Sequence, residues 1–80
     1  MRVLIYSIQK TLFEGEAKEL IARTSEGQIT VLDDHLPLIT SLVGPSVEVV
    51  GKNNERKEVP LESGFLEVRP ESEVVILANS

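Results

Sequence analysis

Between Gln28 and Leu32 apolar and polar side chains alternate, with Ile29 and Val31 on one face and Gln28 and Thr30 on the other. A period of two belongs to an extended strand with one buried and one wet face. The pattern returns from Ser46 to Val50, where Val47 and Val49 are predicted to point inward and Ser46 and Glu48 outward. Further short runs rich in Val, Ile and Leu stand at Val3 to Ile8, Phe65 to Val68 and Val74 to Ala78, with turn residues every eight to twelve positions. That spacing predicts an all-β fold, a two-sheet antiparallel β-sandwich of about eight to ten short strands.

The punctuation supports the same reading. A turn is expected near Gln9 to Thr11, followed by a run from Phe13 to Arg23 in which Gly15 fits a bulge or bend. Ser25-Glu26-Gly27 is a hairpin signal, because glycine tolerates the positive φ that tight turns need. Gly44-Pro45 is expected to break the chain, and Gly51 to Arg56 reads as a polar hairpin loop. Lys57 to Leu61 holds Pro60, which cannot donate a ladder hydrogen bond, so that run belongs at an edge. Ser63-Gly64 and Pro70-Glu71-Ser72 are turns leading into the last two runs, which should pair as a hairpin. Glu14 to Arg23 is ambiguous on propensity alone, since its Glu, Ala, Lys and Leu content suits a helix as well as a strand.

Length and charge narrow the function. Eighty residues make one domain, 1–80, without room for a second core. A chain this short buries only about 60% of its unfolded surface, so a partner can supply part of its stability. A net charge of −5 with scattered Lys and Arg argues against nucleic acid and anionic lipid, which demand clustered cations. Without cysteine there is no disulfide framework, thiolate nucleophile or Cys-based zinc site, which suits a reducing compartment such as the cytosol. No apolar run approaches the ~20 residues needed to cross a bilayer as a helix, so membrane association is expected only through another protein.

The chemistry-bearing candidates are few. Asp33, Asp34 and His35 could offer two carboxylates and an imidazole to a cation, and an Asp with a His can do acid/base work. Adjacent residues of one loop seldom converge on one ion, however, and no second histidine exists. The competing reading is that Asp33-Asp34 makes a turn. No serine lies in G-x-S-x-G, and neither G-x-x-x-x-G-K-[ST] nor G-x-G-x-x-G occurs. No catalytic residue, metal site or cofactor is therefore expected. Leu36, Leu38, Ile39 and Leu42 cluster around Pro37, more apolar side chains than a connection requires. Either all four plug the end of the sandwich or part of the segment is an exposed docking patch.

The stretches FEGEAKELIARTSEGQITVLDDHLPLITSL, VPLESGFLEV and EVVILA resemble the N-terminal β-sandwich domain of the epsilon subunit of F-type ATP synthase. The likeness runs from about Val3 to Ala78 and rests on several motifs in order: Phe13 and Gly15, Glu26-Gly27, His35 with Pro37-Leu38, Ser63 to Val68, and Val74 to Ala78. It favours strand over helix for Glu14 to Arg23. Where the family commonly has Pro-Gly before the histidine this chain has Asp33-Asp34, so the left-handed position is expected to fall to Asp34. Thr30 stands where glycine is usual, and Gly44-Pro45 where Pro-Gly is. Members usually continue into a pair of helices, associated with inhibition and nucleotide sensing, beyond the point where this sequence ends.

The resemblance implies a non-enzymatic rotor component of the central stalk, seated on the gamma subunit and on the ring of membrane c subunits. It would couple proton-driven rotation to ATP synthesis at the cytoplasmic face of a bacterial plasma membrane. Glu26, Gly27 and Gln28 match the turn facing the c ring. His35, Pro37, Leu38 and Thr40 match the region where ring and gamma contacts meet. Glu26, Asp33 and Asp34 are expected to form one negative rim suited to basic ring loops.

Overall fold

The computed structural model describes residues 1–79. Among the described residues eight strands run in chain order, β1 (Arg2–Tyr6), β2 (Thr11–Glu16), β3 (Glu19–Thr24), β4 (Gly27–Leu32), β5 (Leu38–Val50), β6 (Arg56–Pro60), β7 (Ser63–Arg69) and β8 (Glu73–Asn79). Their pairing order is β2-β1-β8-β7-β5-β3-β4, with β6 on β5. All ladders are antiparallel except β1 with β8, which is parallel. The buried faces meet in one core. Val3, Ile5, Leu42, Leu66, Val74 and Ile76 come from the β1-β8-β7-β5 side, and Leu20, Val31, Val47 and Val59 from the β4-β3-β5-β6 side. This is the expected all-β sandwich, and the β7–β8 hairpin is present, with Glu71 and Ser72 at positive φ in its turn.

Thirteen-residue β5 joins the two layers. Its first half pairs with β7 from Leu38↔Val68 to Val43↔Ser63, and its second half with β6 from Ser46↔Pro60 to Val50↔Arg56. The register continues across the junction, so β6 and β7 together act as one bent strand opposite β5. The bend is tied by Gly44 N–H donating to Glu62 O at 2.9 Å and Leu61 N–H to Pro45 O at 3.0 Å. Gly44-Pro45, joined by a cis peptide, therefore does not end a strand as the sequence suggested: both residues lie inside β5. The missing Pro45 N–H costs nothing here, because at a bend the ladder is already interrupted.

Two further expectations are corrected. The run Phe13 to Arg23 is two strands divided at Ala17-Lys18, because Lys18 N–H turns to Val50 O and Ala17 N–H to Met1 O. Gly15 pairs regularly with Val3; the bulge lies where Ile5 pairs Phe13 and Tyr6 pairs Thr11, leaving Leu12 unopposed. Glu14 to Arg23 lies in strands and not in a helix, as the resemblance favoured, with Leu20 and Ala22 buried as alternate residues of β3. Pro60 does lie on an edge strand, exposed in β6.

Candidate partner-binding site

The Ser25-Glu26 turn and the loop from Asp33 to Pro37 are the two connections flanking β4. Gly27, at φ 129°, occupies the region closed to side chains, as the hairpin reading required. Thr24 Oγ1 locks the turn by accepting from Glu26 N–H at 3.1 Å and donating to Gly27 O at 3.0 Å. Glu26, Gly27 and Gln28 are all exposed, so the whole tip faces solvent.

At the other end of β4, Asp34 adopts φ 65°, the left-handed position expected of it. His35 N–H donates to Leu32 O at 3.2 Å, closing the turn. His35 Nδ1 donates to Leu36 O at 2.7 Å, which ties the exposed residue to its own strand entry. Asp33 accepts from the Met1 amino group at 2.7 Å. Asp33, Asp34 and His35 do not converge, and among the described residues no three His, Asp or Glu are grouped to hold a metal.

The six residues of β4, at about 3.3 Å each, put roughly 15–20 Å between turn and loop. Glu26 therefore does not share a rim with Asp33 and Asp34. The hollow at the loop end is instead lined by Glu16, Asp33, Asp34 and Glu71, with Arg2 beside them. Strand length decides this: the two acidic clusters are near in sequence only because β4 is short.

The apolar residues after the loop divide by parity. Leu42 is buried and Leu38 packs against the core. Leu36 is 79% exposed and Ile39 73%. Thr40 is half-buried and Pro37 exposed. Of His35, Pro37, Leu38 and Thr40, then, His35 and Pro37 present themselves fully, while Leu38 serves chiefly the fold. Ile39 belongs to a larger outer patch that the sequence reading missed. Phe65, 59% exposed, stands opposite Leu77, which stands opposite Tyr6; together with Val75 and Ile39 they line a shallow hollow. The signal was present in FLEV and VVILA, where both parities carry apolar residues.

Comparison with known proteins places this geometry. The family model described as ATP synthase, Delta/Epsilon chain, beta-sandwich domain matches residues 1–80. Among curated relatives, the ATP synthase epsilon chain of Alkalihalophilus pseudofirmus is 32% identical over 80 residues, all of this chain and 59% of its own length. That of Psychrobacter arcticus is 38% identical over 76 residues, covering 95% of this chain and 54% of its own length. The chain thus spans about half to three fifths of these relatives. Among solved structures, a chain of the Euglena gracilis mitochondrial ATP synthase superposes with a TM-score of 0.90 at 20% identity, over 98% of this chain and 49% of its own. A chain of the Tetrahymena thermophila mitochondrial ATP synthase central stalk and c-ring gives 0.80 at 15%, over 100% and 63%. At such identities these structures speak for the fold alone. Taken with the relatives and the end-to-end family match, the eight-stranded sandwich belongs to the ATP synthase delta/epsilon chain family, as its N-terminal β-sandwich domain.

Proposed function

We propose that this domain is the non-enzymatic coupling part of a central-stalk subunit in an F-type ATP synthase, joining the gamma subunit to the membrane c ring so that proton-driven rotation reaches the catalytic head. In this reading it sits peripherally at the cytoplasmic face of a bacterial plasma membrane and touches the bilayer only through its partners. The observation that carries it is the family match over residues 1–80. Geometry supports it. A torque-bearing joint needs a stiff body with exposed, locally pinned loops, and both connections of β4 are pinned by their own hydrogen bonds. Because they stand at opposite ends of one strand, one rigid element can present a separate contact at each end: Glu26, Gly27 and Gln28 to the ring, and His35, Pro37, Leu38 and Thr40, with Leu36 and Ile39, toward gamma or the ring.

The test is binding of the purified chain to cognate gamma and to purified c ring. Leu36→Asp is expected to weaken gamma capture at least tenfold, and Glu26→Lys to weaken ring binding with little effect on gamma. Failure of the wild-type chain to bind gamma at micromolar concentration overturns the proposal.

A further inference from the structure

The sheet edges are guarded unequally. Edge strand β2 carries Glu14 and Glu16 and a register shift opposite Ile5 and Tyr6. Edge strand β6 carries Arg56, Lys57, Glu58 and Pro60. Charges, bulges and prolines are the usual means by which exposed edges avoid pairing with other chains. Edge strand β4, GQITVL, has none of them. Among the described residues it pairs with β3 alone, through six consecutive residue pairs without a shift, so its free side is straight and regular.

The free side has a defined set of hydrogen-bonding groups. The two-residue Ser25-Glu26 turn makes Thr24 and Gly27 a hydrogen-bonded pair, and alternation then turns the backbone groups of Gln28, Thr30 and Leu32 outward. Leu32 O, which accepts from His35 N–H, agrees with that orientation and keeps a second lone pair.

We propose that β4 pairs antiparallel with β4 of a second copy of this chain, about a two-fold axis at Thr30. In that register Thr30 faces its twin, Gln28 faces Leu32, and Ile29 faces Val31. Every pair matches outward with outward or inward with inward residues, so both core faces continue across the axis and half-buried Ile29 is covered by Val31 of the second copy. A chain of net charge −5 repels its own copy over most of its surface; β4 itself carries no charged residue, while the same register sets Glu26 of one copy level with Asp34 of the second at each end, so the pair is expected to tighten with added salt. A strip of six residues covers less than the ~800 Å² per partner of a standard stable interface, so the pair is weak and concentration-dependent.

Sedimentation of the 80-residue chain tests this. Between about 10 µM and 1 mM the mass is expected to rise from monomer toward dimer, the range in which an interface below standard size dissociates. Thr30→Lys sets like charges against each other on the axis and is expected to hold the mass at the monomer value throughout; since Thr30 is exposed, circular dichroism should show the variant folded. Glu14→Lys, on the β2 edge, should associate at least as well as wild type. A wild-type mass that stays monomeric to 1 mM, or a folded Thr30→Lys variant that associates like wild type, overturns the proposal. Gamma binding by Thr30→Lys, outside the contacts proposed above, separates this outcome from failure of the stalk reading.

Discussion

Gly64 of β7 lies so close to β8 that a Cβ built on it would stand 2.6 Å from the Leu77 carbonyl oxygen. The next obstacle, Ala78 Cα at 3.4 Å, is also backbone, so neither can swing aside as a side chain would. Gly64→Ala is expected to cost about 1–3 kcal/mol through forced separation of β7 and β8. Urea unfolding should show a lower midpoint with an unchanged slope, and an unmoved midpoint would contradict this close approach.

Leu38 and Ile39 are neighbours with opposite duties. Leu38→Ala removes a side chain packed against the core and should cost about 1–2 kcal/mol, less than the about 2–5 expected for fully buried Leu66→Ala. Ile39→Ser changes an exposed residue and should move stability by no more than about 0.5 kcal/mol. Urea midpoints of the three variants, paired with gamma capture, tell them apart: Ile39→Ser should lose binding without losing stability. If Ile39→Ser is the most destabilised, the parity assignment of β5 is wrong.

How far the fold could be read from sequence followed from how local each cause is. Ile29 and Val31 announce a buried face by alternation, which needs only near neighbours, whereas the left-handed position of Asp34 was expected from the resemblance, which puts a glycine there. The partner of a strand is not local information. Gly44-Pro45 looks like a terminator until Glu62 and Leu61 are known to cross it, and nothing in Val3 to Ile5 says that β8 will lie parallel beside it. The site divided in the same way. The turn at Ser25-Glu26-Gly27 was legible from its own chemistry and the candidate contacts Glu26 to Gln28 and His35 from the resemblance, whereas the outward row Tyr6, Leu77 and Phe65 exists only once three strands from distant parts of the chain are side by side.

Asp34 permits a stabilising change. A left-handed conformation costs an L-residue about 1–2 kcal/mol, somewhat less for aspartate, while glycine adds about 0.5–1 kcal/mol of unfolded-chain freedom. At φ 65° the difference favours Asp34→Gly by a margin under about 1 kcal/mol. Thermal unfolding should show a slightly higher midpoint, and gamma capture should not change, since the turn is retained. A lower midpoint would mean that the Asp34 side chain contributes more than its backbone strain costs.

Arg69 sits between two carboxylates, its guanidinium 3.1 Å from Glu67 and 3.3 Å from Glu73. The hydrogen bonds it donates to Glu67 first and Glu73 second raise its pKa above the ordinary arginine value. A raised folded-state pKa means that the pair's contribution is fully present below the ordinary arginine value and is lost only as pH climbs through the folded one. Stability conferred by Arg69 is therefore flat across the neutral range, and its sensitivity is to salt instead. All three side chains are solvent-exposed, so screening acts on them directly. Arg69→Met should lower the urea midpoint slightly at low ionic strength, by the same amount at pH 6 and pH 9, and the gap to wild type should close near 1 M NaCl. A gap that survives high salt would assign Arg69 a packing role, through its methylene stem, in the hollow that it lines together with Tyr6 and Val75.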